Sequence, residues 1–164
     1  MATTYVKIQT ITLGSAGTVT FNSIPQTYKH LIVVGSANST ATDAFNMSIN
    51  EYTNFYYFES MYMENTSAPM QYGPDTTSGQ AIGGMSIQAG QWGGFEIIIP
   101  DYTNTNFFPT YLCRGGGLRS DSTNNANGWG GGSLRQPGPV TSIQFKMFSQ
   151  QLNTNSKFTL YGLS

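Results

Sequence analysis

The chain has 164 residues, enough for one domain that buries roughly 68–70% of the surface its unfolded state exposes. Charged residues are 9% of it, against about 25% in an average soluble domain, while aromatics reach 13%, which excludes a disordered chain. Lys+Arg 7 against Asp+Glu 8 leaves no surplus to neutralise phosphates, which excludes nucleic acid as a main partner and long-range steering as a main mechanism.

Residues 1–7 carry neither the basic nor the apolar run of a leader, so synthesis in a cytoplasm is expected, with residues 1–5 as an extended arm. Val6 and Ile8 alternate with Lys7 and Gln9, then Ile11 and Leu13 take the opposite phase, which predicts a bulge around Thr10. Residues 31–34 read as a strand buried on both faces. Phe45, Met47 and Ile49 alternate with Asn46, Ser48 and Asn50. Residues 52–64 lack clean helical spacing and read as strand, irregular segment or short helix. Phe95, Ile97 and Ile99 form another row, closed by Pro100, with Glu96 pointing away from the core. Residues 107–112 are strand-like, and Ile143, Phe145 and Met147 alternate with Gln144 and Lys146. Residues 65–79 and the Gly/Asn/Ser-rich residues 115–132, which carry Trp129, read as long loops. The longest apolar runs are far too short to span a bilayer as a helix, so no membrane is expected. Short alternating runs with frequent Gly and Pro turns predict an all-β, antiparallel, jelly-roll-like β-sandwich over residues 1–164 as a single domain.

The residues that carry chemistry are few. His30 is the sole histidine, so multi-histidine metal sites are impossible, and its place before a buried run favours a structural role. Cys113 is the sole cysteine, so no internal disulfide forms, and it reads as a small buried thiol. Neither Gly115-Gly116-Gly117 nor Gly130-Gly131-Gly132 has the Lys-Ser/Thr follow-on of a phosphate loop. Glu51, Glu59, Glu64, Asp75, Glu96, Asp101 and Asp121 offer carboxylates for a glycosidase pair, but Glu96 and Asp101 read as outward and turn residues. The expectation is no enzyme and no cofactor or metal.

The aromatics say more. Tyr52, Phe55, Tyr56, Tyr57, Phe58, Met61, Tyr62 and Met63 fall so close together that one element buries only part of them. They form either a thick local core or a partner surface, whose contact set is then Tyr5, Tyr52, Phe55, Tyr56, Tyr57, Met61, Tyr62 and Trp129. Trp92 and Trp129, flanked by glycines, either pack loops or stack on sugars.

Ser23-Ile24-Pro25-Gln26-Thr27-Tyr28 followed by Leu31-Ile32-Val33-Val34-Gly35-Ser36-Ala37 resembles a segment of phage virion proteins, especially those of cyanophages and other aquatic phages. The likeness continues through Ile49-Asn50, Ile98-Ile99-Pro100-Asp101-Tyr102, the Gly-rich stretch with Trp129, Val140-Thr141-Ser142-Ile143 and Thr159-Leu160-Tyr161-Gly162. The resemblance implies a jelly-roll-like virion domain, often a homotrimer, and no catalytic residues. The lack of a coiled-coil shaft favours a compact capsid decoration (cement) protein in contact with the major capsid protein. The alternative is a tail or fibre module gripping host polysaccharide.

Overall fold

The computed structural model describes residues 4–64, 68, 70–76, 79–80, 86–87, 89–118 and 125–164. Its strands are β1 (Tyr5–Thr12), β2 (Val19–Phe21), β3 (His30–Asn38), β4 (Asp43–Ile49), β5 (Tyr56–Glu64), β6 (Met70–Thr76), β7 (Gly79–Gln80), β8 (Ser86–Ile87), β9 (Trp92–Ile99), β10 (Thr110–Leu118), β11 (Asn125–Leu134), β12 (Ile143–Met147) and β13 (Lys157–Leu163). An eight-stranded sheet, in the order β1-β13-β3-β9-β10-β11-β5-β6, packs on a five-stranded one built on β2-β12-β4-β7 with β8 beside β4. All strand pairs are antiparallel. The chain changes sheet at most connections, so neither sheet closes its core without the other. The fold is an antiparallel β-sandwich.

The alternating rows become the interface between the sheets. Phe45 and Phe145 from the smaller sheet meet Phe95 and Phe158 from the larger one, with ring centroids 5.1–6.0 Å apart, and Phe21 joins edge-on to Phe145 at 6.4 Å. Leu31, Ile32 and Val33 are buried, as the unbroken apolar run predicts, but Val34 at the end of that run is only half-buried, on the outer face of β3.

Several local expectations are corrected. The bulge in β1 lies between Lys7 and Gln9, before Thr10, because the pairing with β13 slips there. Residues 65–79 do not form one long loop: residues 70–76 are β6, paired with β5. Residues 115–132 are not a loop either. Their described parts complete β10 and β11, and Trp129 sits opposite Arg114 in mid-strand. Glycine carries no alternating signal, but β9 and β5 flank the hairpin on either side and supply the ladder that holds it. The strand predicted at residue 107 begins at Thr110. Residues 1–3 of the expected arm lie outside the described residues, as does Asp121.

Some of these glycines are required by packing. A Cβ on Gly132 would fall 2.3 Å from the Tyr57 carbonyl oxygen and 2.6 Å from the Tyr111 hydroxyl. Gly132→Ala is expected to lose about 1–3 kcal/mol of stability, read from urea unfolding, through the strain of overpacking. An unchanged midpoint would mean that β5 and β11 are not so closely paired.

Candidate functional site

One end of the sandwich gathers exposed aromatic side chains from distant parts of the chain. Tyr5 opens β1 there and is 62% exposed. Tyr52 and Phe55 lie on the turn from β4 to β5, and Tyr57 follows at the start of β5. Phe107, 70% exposed, and Phe108 lie on the loop before β10. Register aligns these along one end of the large sheet, with Tyr5 and Tyr57 six strands, or about 29 Å, apart. Tyr5 pairs with Leu163, Leu163 with His30, Leu31 with Ile99, and Thr110 with Ser133, which pairs with Tyr57.

Polar contacts hold the loops that carry the rim. Asn104 Oδ1 accepts the backbone N–H groups of Asn106 and Phe107 at 2.8 and 3.2 Å, a turn that throws Phe107 outward. The strand end of β11 pins two loops at once. Leu134 N–H donates to the Pro109 carbonyl at 2.9 Å, and Arg135 N–H to the Phe55 carbonyl at 2.9 Å. Asn50, at φ 52°, spans two segments: Oδ1 accepts from Thr141 N–H at 2.8 Å, and Nδ2 donates to the Pro139 carbonyl at 2.7 Å. Asn is among the residues that tolerate this left-handed backbone. Beneath the Phe107–Phe108 loop is a hollow of about 280 Å³ lined by Pro100, Asp101, Tyr102, Phe107, Phe108 and Pro109. Tyr102 is buried, its hydroxyl donates to the Pro25 carbonyl, and burial pushes its pKa up.

The sequence-derived contact set divides. Tyr5, Tyr52, Phe55 and Tyr57 are exposed on the rim. Tyr56 is fully buried and is a core residue, not a contact residue. Its hydroxyl accepts the Ile49 N–H at 2.6 Å and lies 3.2 Å from the Tyr52 carbonyl, so it ties the rim turn to the core. Tyr62 shares the inner face of β5 and packs partly against the core. Met61 and Trp129 face each other on the outer side of the large sheet, away from the rim. Phe107 and Phe108 were missed by sequence reasoning because they were assigned to a strand. The Asn104 to Pro109 context was the available turn signal.

Of the groups tested for catalysis, the structure brings His30 and Asp101 together and sets Cys113 and Glu96 apart from them. His30 Nδ1 accepts the Asp101 N–H at 3.1 Å, with the Asp101 carboxylate 3.9 Å away. Cys113 is buried opposite Ile97, which is opposite Val33. It is therefore two strands across and three residues along from His30, about 14 Å on standard sheet spacings. Glu96 is held by Arg114 at 3.0 Å. Among the described residues, no group of three or more His, Cys, Asp or Glu side chains is placed to hold a metal ion. No known family model matches the chain, and no curated protein is similar to it.

Proposed function

We propose that this chain is a non-enzymatic virion component, a decoration (cement) protein on the surface of a phage capsid. The observation that carries the reading is the rim itself: Tyr5, Tyr52, Phe55, Tyr57, Phe107 and Phe108 exposed along one end of a weakly charged sandwich. Tyr and Phe are enriched at the cores of protein interfaces, where a few buried anchors carry most of the binding energy. The rim seats against neighbouring copies of the major capsid protein and clamps them without covalent bonds. Assembly as a homotrimer multiplies the attachment, because each further arm binds at high effective concentration.

Gold-labelled antibody against the chain should decorate the icosahedral shell of intact virions in electron micrographs, and heads stripped of it should burst at lower temperature. Replacing Phe107 and Phe108 together by Ala should weaken re-attachment to stripped heads by at least about tenfold, the cost of losing one to two interface anchors. Bare shells under the label, or stripped heads as heat-stable as intact ones, defeat the proposal. A tail or fibre module gripping polysaccharide is the second reading, favoured by the exposure of Trp92 and Trp129, and gold confined to the tail selects it.

A further inference from the structure

Away from the rim, one row of side chains crosses the outer face of the large sheet in register: Val34, Glu96, Arg114, Trp129 and Met61. Arg114 Nη2 is 3.0 Å from Glu96 Oε1, so a charge-balanced pair lies beside an indole that is 46% exposed. One pleat further from the rim the row reads Ser36, Gly94, Gly116 and Asn127. The two glycines put no side chain on the sheet. A hollow of about 390 Å³ opens there, lined by Gly94, Glu96, Arg114, Asn127 and Trp129. Trp92, also half-exposed, stands beyond Gly94 on the same face.

Packing does not explain Gly94. A Cβ on Gly94 would meet nothing within 4 Å, whereas one on Gly130 would fall 2.5 Å from the Glu59 carbonyl oxygen. A strand glycine weakens its strand, and one with open space above it leaves room for a ligand to approach the backbone closely.

We propose that this hollow binds a neutral saccharide. The Glu96–Arg114 pair offers no net field for a phosphate or an acidic ligand. β9, β10 and β11 are each hydrogen-bonded on both sides, so no free edge is present there for a peptide to extend the sheet. The hollow is open-sided and floored by backbone, without a deep slot for a peptide anchor. A pyranose ring has the complementary chemistry. Its apolar face stacks on Trp129, and its hydroxyls meet the planar carboxylate, guanidinium and amide of Glu96, Arg114 and Asn127. The volume falls within the range of small-ligand sites, about 300–1,000 Å³. The proposal does not depend on attachment to a phage head, and either can fail without the other.

The full chain is screened on an array of neutral and acidic glycans and titrated with soluble dextran, mannan and laminarin by tryptophan fluorescence. At least one neutral glycan should bind. Binding should weaken about tenfold or more with Trp129→Ala and with Gly94→Val, which fills the hollow from its floor, and should be unchanged with Phe148→Ala, just past the end of β12. Thermal melting checks that each variant folds, and Trp92→Ala supplies a second aromatic test if Trp129→Ala does not. Binding to no neutral glycan, binding to acidic glycans alone, or binding indifferent to Gly94→Val and the tryptophan change would overturn the assignment.

Discussion

Phe145→Ala should cost about 4 kcal/mol of stability and lower Tm by about 8–16 °C for a chain of this length. Phe145 is fully buried, and its ring lies 5.2 Å from Phe158, 5.9 Å from both Phe45 and Phe95, and 6.4 Å from Phe21. It extends from the smaller sheet into rings of the larger one, so truncation opens a cavity at the seam between the sheets. Neither sheet relaxes easily into that space, because each is held by its own ladder. Guanidinium unfolding followed by near-ultraviolet circular dichroism reads the loss. A change under about 1 kcal/mol would mean that the seam collapses around the smaller side chain, and that the sheets are joined mainly elsewhere.

The second large effect is expected at Tyr56, where stability and the rim meet. Removing its hydroxyl in Tyr56→Phe leaves the Ile49 N–H without its 2.6 Å acceptor in a buried place. The expected loss is about 1–3 kcal/mol. Burial also pushes the Tyr56 phenol from its ordinary 10.0 up to about 12. The folded value is the higher one, so below pH 10 the group is protonated in both states and its full contribution is present. Between about pH 10 and 12 the unfolded chain releases this proton first, and stability falls with rising pH by on the order of 2 kcal/mol. Urea midpoints measured from pH 9 to pH 12 should therefore fall more steeply for the wild type than for Tyr56→Phe. Tyr102, raised in the same direction by burial, leaves a residual slope in both. Parallel curves would show that the Tyr56 phenol titrates alike in both states. The same variant loosens the turn carrying Tyr52 and Phe55, so weaker attachment to heads should accompany it if the rim is the docking surface.

Much of the fold was legible because period-two alternation is a local signal that survives without knowledge of partners. Phe45, Met47 and Ile49, then Phe95, Ile97 and Ile99, then Ile143, Phe145 and Met147 each name a strand and the face it turns to the core, although in β4 the alternating Asn46 and Ser48 are buried as well. Low charge and a lone histidine and cysteine likewise limit the chemistry before any folding is considered. The segment at 52–64 was harder. Adjacent aromatics carry no alternation, so sequence did not say whether Tyr56 or Tyr57 faces inward. Pairing of Tyr56 with Leu134 and of Tyr57 with Ser133 sets that parity, and it belongs to two strands far apart in the chain.

Composition and periodicity by themselves determined an all-β chain with few charged groups. Tertiary structure alone decided that the glycine-rich stretches are strands, since a residue without a side chain has no pattern to read and takes its conformation from the ladders beside it. It also decided the two surfaces proposed for function. The rim aligns Tyr5, Phe55 and Phe107 along one end of the sandwich through strand register and loop anchors, and the hollow sets Trp129 beside Arg114 and Glu96 across adjacent strands. Both depend on pairings between residues distant in sequence, which no local pattern encodes.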